Sequence, residues 1–275
     1  MSKKLKTIAA VVGSPISQSL SPAIHNAAFA KMSKPWRYVA IDVESQFFEE
    51  EVFASRDAGM LGLSITMPHK DAAFALVKNM DEVAQISGSV NTIIFDGTGV
   101  MRGANTDGDG CCDALVRFGA VIENCRAVVL GAGGTARAVV AALGIRGAAD
   151  IAIINRTESR AHGAAECAKV ARVGSLSDIK NATLLINTTS VGMGTNEQAV
   201  DPAYLHSSLV VLDAVYHPLR TALLHQAQLV GAQTVDGLWM LIYQAVRQEQ
   251  LWCGMSPDPD VMRDAALSAL AQRFD

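Results

Sequence analysis

Short apolar runs alternate with helix-period stretches along most of this chain, the arrangement expected of an α/β protein. Thr7–Val12 is the first run, and Gly13-Ser14-Pro15 ends it. Ser21 followed by Pro22 predicts a helix start, with Ser21 as N-cap and proline at the first helical position. Trp36–Val43 alternates like a strand, Phe47–Ala58 has the period of an amphipathic helix, and Leu61–Met67 is a strand stopped by Pro68. A helix is predicted over roughly Asp71 to Lys78, then a hairpin of Val90–Phe95 and Val100–Gly103 around Asp96-Gly97-Thr98-Gly99.

Gly108–Phe118 is predicted to be a linking helix. Beyond it the pattern becomes regular: strands at Ala127–Leu130, Ile151–Ile154, Leu184–Asn187, Leu209–Leu212 and near Gln233–Val235, with helices over Thr135–Leu143 and Thr221–Val230. A strand as short and unbroken as Ala127–Leu130 suits a parallel sheet buried on both faces. After Asp236-Gly237, the stretch LWMLIYQAVRQEQLW is apolar nearly all round for two turns, as a buried helix is. It is expected to return to the first part of the fold. The prediction is two domains, residues 1–107 with 238–275, and residues 108–237.

The second domain carries the clearest motif. Gly131-Ala132-Gly133-Gly134-Thr135-Ala136 follows a strand, opens a helix and fits G-x-G-x-x-A. In a Rossmann-type fold the first glycine permits the tight turn, the second lets a pyrophosphate approach the backbone, and the small Ala136 lets helix and strand pack closely. The phosphate then sits on the helix N-terminus, where free N–H groups favour an anion. The end of the next strand selects the cofactor. NAD folds usually place Asp or Glu there for the ribose 2′-hydroxyl, whereas this chain has Asn155-Arg156-Thr157 and then Arg160. An arginine pair suits a 2′-phosphate, so NADP is expected over NAD.

Composition narrows the class. With 275 residues, 50% hydrophobic and 18% charged, the chain can bury a core and is not disordered. Net charge is −4 and no run of Lys or Arg exceeds two, which argues against nucleic-acid or membrane-surface binding. Cys111, Cys112, Cys125, Cys167 and Cys253 form no C-x-x-C and suit reduced, buried thiols. The start, MSKKLKTIAAVVGSP, is only superficially like a leader, because the apolar run from Ile8 to Val12 is cut short. A soluble, cytoplasmic protein is expected. There is no metal-ligand spacing, no G-x-S-x-G and no P-loop.

Four polar islands sit where strands end. Ser19 and Ser21 could hold a carboxylate at a helix N-terminus, or Ser21 could merely cap its helix. Lys70, in Ser64-Ile65-Thr66-Met67-Pro68-His69-Lys70, falls at a helix start, where the dipole disfavours its charge. Such a lysine suits general acid–base work, and Asp107, if it faced Lys70, would oppose the dipole. His69 ranks lower, since a lone His beside proline more often packs. Asn91-Thr92 and Asn105-Thr106-Asp107-Gly108 read equally as turns.

Taken together, GSPISQSLSPAIH, SITMPHK, SVNT, GANTDG, LGAGGTARAVV, NRTESR, INTTSVGM and DGLWMLIYQA resemble the shikimate/quinate dehydrogenase family over nearly the full length. The resemblance implies reversible reduction of 3-dehydroshikimate to shikimate with NADPH, in chorismate and aromatic amino-acid biosynthesis. It implies that residues 1–107 with 238–275 bind substrate and residues 108–237 bind NADP. Ser19 and Ser21 would hold the substrate carboxylate, Thr66, Asn91 and Gln244 the ring hydroxyls, and Lys70 with Asp107 would form the catalytic pair. Gly131, Ala132, Gly133, Gly134, Thr135, Asn155, Arg156, Thr157, Arg160, Thr188, Thr189, Ser190, Ala214 and Gly237 would lie on the cofactor side, with Tyr216 near substrate and nicotinamide.

Two positions depart from the family pattern. Ser64-Ile65-Thr66 stands where Asn-Val-Thr is common, and Trp239 where glycine is common. These changes admit quinate or an aminoshikimate as substrate. A non-catalytic NADP(H)-binding regulator is the reading from another class, disfavoured because Lys70 and Asp107 are both present. A folate-linked dehydrogenase is disfavoured by the Ser-x-Ser pair and the Asn-Thr-Asp turn. The expected partner is a small molecule, with the chain acting as a monomer or homodimer.

Overall fold

The computed structural model describes residues 5–273, so the first four residues of the leader-like stretch and the last two of segment 238–275 lie outside the described residues. The elements begin with β1 (Lys6–Gly13), α1 (Ser21–Lys31), β2 (Trp36–Asp42), α2 (Phe48–Asp57), β3 (Gly62–Ile65) and α3 (Lys70–Leu76). Next come β4 (Asn79–Met80), α4 (Glu82–Ser87), β5 (Thr92–Phe95), β6 (Met101–Ala104) and α5 (Thr106–Arg117). They continue as β7 (Arg126–Leu130), α6 (Gly134–Ile145), β8 (Asp150–Ile154), α7 (Glu158–Ala165), β9 (Ala171–Val173) and β10 (Leu184–Asn187). The last are β11 (Val210–Asp213), α8 (Ala222–Leu229), β12 (Gln233–Asp236), α9 (Gly237–Cys253) and α10 (Pro259–Ala271). The chain divides into two compact units, one drawn from residues up to Thr106 and from Gln244 onward, the other Asp107–Tyr243.

The first unit holds a mixed sheet in the order β2-β1-β3-β5-β6-β4. β1 pairs in parallel with β2 and β3, and the β5–β6 hairpin adds on antiparallel. Six consecutive residues of β1 are buried, as a strand covered on both faces requires. The sheet edge at β2 is blunted by Asn26 of α1. Its Oδ1 accepts from the Tyr38 N–H at 2.9 Å, and its Nδ2 donates to the Tyr38 carbonyl at 2.9 Å, replacing a neighbouring strand. Trp252 of α9 closes over β3, where the missing side chain of Gly62 makes room for the indole, and its Nε1 donates to the Ile93 carbonyl at 3.0 Å.

In the second unit all strands are parallel, in the order β12-β11-β10-β7-β8-β9. Numbered within the unit this is 3-2-1-4-5-6 read from the opposite edge, the doubly wound order, with its switch point between β7 and β10. Gly108 lets α5 sit directly on the Ala138 carbonyl of α6, and Arg146 ties the two helices through Asp109 and Asp113. All five cysteines are free. Burial pushes the Cys112 thiol up to about 12 and the Cys125 thiol up to about 11.

Two local expectations need correction. Ser21 does not cap α1; it is the first helical residue, Leu20 holds the cap position, and the Ser19 Oγ accepts from the Ser21 N–H at 3.3 Å. The basic stretch after β8 is a turn only as far as Thr157, and Arg160 lies in the first turn of α7. The segment after α9 contains a further helix, α10, started by Asp258 as N-cap and Pro259 at the first helical position. The short elements β4, α4 and β9 also escape the hydrophobic pattern.

Candidate active site

In the parallel unit the candidate residues converge because parallel strands all end at the same edge. The glycine turn follows β7, Asn155–Thr157 follow β8, Thr188–Ser190 follow β10, Ala214 follows β11 and Gly237 follows β12. Gly131 has φ +108°, and a Cβ there would lie 2.6 Å from the Thr188 Oγ1, itself donating to the Leu130 carbonyl at 2.6 Å. Gly131 therefore knots the turn to the neighbouring loop across the switch point. Gly133 is the N-cap of the 12-residue α6, and a Cβ there would meet nothing within 4 Å. That opening, on a helix N-terminus, suits a phosphate. Ala136 is fully buried beneath it. Asn155 Nδ2 donates to the Thr157 carbonyl at 2.8 Å and fixes the turn, leaving Arg156 and Arg160 exposed as a 2′-phosphate would need. Gly237 lies against the Ala214 carbonyl, where no side chain fits. Tyr216, half-buried after β11, belongs to this unit, as does Asp107, buried in the first turn of α5. Trp239 is buried and packs on Phe118, with the Arg117 guanidinium 4.1 Å from its ring centre.

In the mixed-sheet unit, one buried hydrogen-bond network joins two of the predicted substrate residues, Asn91 and Gln244. The Tyr38 hydroxyl, with Ser21 beside it, donates to Ser64 Oγ at 2.6 Å. Ser64 donates to Gln248 Oε1 at 2.8 Å, and Gln248 Nε2 donates to Thr92 Oγ1 at 3.0 Å. Thr92 donates to Asn91 Oδ1 at 2.7 Å, Asn91 Nδ2 donates to Thr106 Oγ1 at 3.0 Å, and Thr106 Oγ1 donates to Gln244 Oε1 at 3.4 Å. Burial pushes the Tyr38 phenol far above its ordinary value, so it remains a neutral donor. Beneath it, the buried His25 ring stacks on Tyr38 at 4.2 Å and bonds to the buried Glu249 carboxylate at 2.8 Å.

The remaining members of this unit sit beside the network. Thr66, half-buried, continues β3 with its N–H on the Val12 carbonyl at 3.0 Å. Lys70 is the first residue of α3 and is half-buried. His69 packs, as expected: its Nε2 bonds to the Val43 carbonyl at 2.7 Å and its ring stacks on Phe48. Asn105 serves structure, its amide donating to the Ser89 carbonyl at 2.9 Å and its backbone N–H to the Asp81 carboxylate at 3.2 Å. Tyr38, Ser64 in this role, Thr92, Thr106 and Gln248 were not predicted as network members. Gln248 had a readable signal, since it stands one turn after Gln244 on the same helix face. Tyr38 had none, because its partners lie far away in sequence. Among the described residues no cluster of His, Cys, Asp and Glu could hold a metal ion, and no helix is long and apolar enough to cross a membrane.

Three family models match the chain. A family described as shikimate dehydrogenase substrate binding domain matches residues 11–93, shikimate / quinate 5-dehydrogenase matches 114–199, and shikimate 5′-dehydrogenase C-terminal domain matches 237–267. Shikimate dehydrogenase (NADP(+)) of Methanosarcina mazei is 41% identical over 279 residues, covering 97% of this chain and 99% of its own. The chain belongs to the shikimate dehydrogenase family. Among solved structures, shikimate 5-dehydrogenase of Thermus thermophilus, in complex with NADP(H) and shikimate, has a TM-score of 0.89 at 34% identity, covering 96% of this chain and 100% of that one. A ligand-free 5-ketofructose reductase of Gluconobacter sp. strain CHM43 also has a TM-score of 0.89, at 28% identity, covering 96% and 99%. The shikimate dehydrogenase fold thus also serves a reductase named for another substrate, so substrate choice has to be argued from side chains.

Proposed function

We infer that this chain is an NADP-dependent shikimate dehydrogenase, interconverting 3-dehydroshikimate and shikimate in chorismate and aromatic amino-acid biosynthesis. It acts in the cytoplasm on soluble small molecules, as a monomer or homodimer. The mixed-sheet unit is the substrate-binding domain and the parallel unit is the NADP-binding domain. The observation that supports this best is the buried network from Tyr38 through Asn91 to Gln244. Its hydroxyl and amide groups are what a polyhydroxylated ring acid requires of a binding site, and they are held by one another before any ligand arrives.

The roles follow from chemistry. Ser19 and Ser21, at the start of α1, hold the substrate carboxylate; Thr66, Asn91 and Gln244 orient the ring hydroxyls. Lys70 gives a proton to the carbonyl oxygen on reduction and withdraws it on oxidation, while the Asp107 carboxylate holds the ammonium. Tyr216 flanks the substrate. On the other side, the Gly131–Thr135 turn holds the pyrophosphate, Arg156 and Arg160 hold the 2′-phosphate with Asn155 and Thr157 shaping the turn, and Thr188–Ser190, Ala214 and Gly237 line the remainder. Bound NADPH supplies the hydride.

The test is turnover of shikimate and quinate with NADP+ and NAD+ on the purified protein. Preferential oxidation of shikimate with NADP+ is expected. Equal or better turnover of quinate, or a preference for NAD+, would overturn the reading.

A further inference from the structure

Asp213 ends β11 fully buried, yet it is not one of the strand-end residues assigned to the nucleotide. Its carboxylate accepts from three segments. Oδ1 accepts from Asn187 Nδ2 at 2.9 Å and from the Val215 N–H at 3.1 Å, and Oδ2 accepts from Thr221 Oγ1 at 2.6 Å. Thr221 is the N-cap of α8. Asn187 and Asp213 are register partners at the ends of adjacent parallel strands, and Asn187 is itself fully buried.

A carboxylate only accepts, so the amide of Asn187 can present only its NH2 to Asp213. Its Oδ1 must then face the other way. There it accepts from the Thr189 N–H at 3.0 Å and the Thr189 Oγ1 at 2.7 Å. Thr189 Oγ1 in turn accepts from the Val191 N–H at 3.2 Å. The charge of Asp213 is thereby converted into one orientation of a neighbouring amide, and that orientation fixes the loop after β10. The same carboxylate holds the Ala214–Val215 turn. Burial raises the Asp213 carboxyl above its ordinary value, and the three donors offset part of that rise.

We propose that Asp213 is a positioning residue for the cofactor, acting through Asn187 on the Thr188–Ser190 loop and directly on the Ala214 turn. This rests on the assignment of those loops to NADP. Asp213 touches neither substrate nor nucleotide; it selects the loop geometry in which Thr188, Thr189 and Ser190 meet the nucleotide.

The experiment compares Asp213→Ala, Asp213→Asn and Asn187→Ala with the parent protein. Four quantities are read: NADPH Kd by fluorescence titration, shikimate KM at saturating NADP+, amide hydrogen exchange of the ligand-free protein, and thermal unfolding. Asp213→Ala and Asn187→Ala should each raise the NADPH Kd about tenfold or more, since each leaves buried donors or acceptors without partners. Exchange at the Thr189 and Val191 amides should accelerate, while shikimate KM moves by less than about twofold. Asp213→Asn should restore NADPH binding to within about threefold of the parent, because the Val215 N–H keeps an oxygen facing Asn187 while the Thr221 hydroxyl turns to accept. If Asp213→Ala does not fold, Asn187→Ala carries the same expectation.

The proposal fails if NADPH binding and amide exchange in these variants match the parent, or if shikimate KM rises in step with the NADPH Kd, which would mean general loss of structure. A parent protein that binds no NADPH would overturn the functional reading instead. The exchange rates, measured without nucleotide, would then still decide whether Asp213 sets the loop.

Discussion

Gly131 and Gly133 lie two positions apart in one turn, and the structure gives them opposite physical roles. An alanine at Gly131 would occupy φ +108° with its Cβ 2.6 Å from the Thr188 hydroxyl. Backbone strain of this kind costs ~1–3 kcal/mol and forced overpacking a further ~1–3 kcal/mol. Gly131→Ala should therefore destabilise the ligand-free protein by roughly 2–6 kcal/mol, a fall in Tm of roughly 4–24 °C for a fold of this size. Gly133, by contrast, is the N-cap of α6 with ordinary φ −80° and open space around its Cα. Gly133→Asp supplies a favoured N-cap and a negative charge at the helix N-terminus, worth ~0.3–1 kcal/mol of stability. Under the proposed assignment of this turn to NADP, that same carboxylate would stand where the pyrophosphate binds. Two unit charges about 4 Å apart repel by ~1 kcal/mol in water and ~4 kcal/mol near a protein surface, so the NADPH Kd should rise roughly 5–10³-fold. Calorimetry without nucleotide and fluorescence titration with NADPH separate the two effects. The reasoning is refuted if Gly133→Asp lowers Tm as Gly131→Ala does, or if it binds NADPH within about threefold of the parent.

Other outcomes follow from the same structure. Lys70→Ala should lower kcat by about 10²–10⁴-fold with NADPH Kd unchanged, and retained turnover would remove Lys70 from the proton route. Arg156→Ala should raise the KM for NADPH by about tenfold while that for NADH barely moves; equal losses would mean that it does not read the 2′-phosphate. Gln248→Leu leaves the buried Ser64 hydroxyl without its acceptor and should cost ~1–3 kcal/mol in urea unfolding together with weaker shikimate binding. A variant of parental stability would show that the bond contributes nothing. Because burial holds the Cys112 and Cys125 thiols protonated near neutral pH, Ellman's reagent should label them only after denaturation, and rapid labelling of the native protein would contradict their burial.

How much of this was legible in the sequence depended on the range of the interaction concerned. The parallel unit was readable because its signals are local: Val128–Leu130 is followed directly by Gly131, and strand, turn and helix share one short stretch. The helix start at Ser21-Pro22 was legible, but not that Leu20 takes the cap position, since cap geometry depends on φ and ψ rather than on residue type. Helix α10 carried a plain signal in Asp258-Pro259, whereas α4 and β4 are too short for periodicity to register. The Asn187–Asp213–Thr221 relay and the Tyr38–Ser64–Gln248 chain were invisible, because each joins residues from separate elements and only the folded sheet makes them neighbours.

The second of these chains bears on substrate choice. Ser64 stands where the family pattern commonly has an amide, and by itself a hydroxyl there suggests a site altered for a different ring. Its bonds argue otherwise. The Ser64 hydrogen is committed to Gln248 and its oxygen already accepts from Tyr38, whose burial keeps it a donor. To donate to a ligand, Ser64 would have to leave the buried Gln248 amide oxygen without its donor, at ~1–3 kcal/mol. A ring hydroxyl seldom repays that. Ser64 therefore acts inward, as the link that holds Gln248 against Thr92 and so orients Asn91, and under the proposed roles discrimination between shikimate and quinate would fall to Asn91, Thr66 and Gln244. Replacing Ser64 by Ala should consequently loosen binding of both ring acids alike, whereas a change at a residue that reads the ring should separate them.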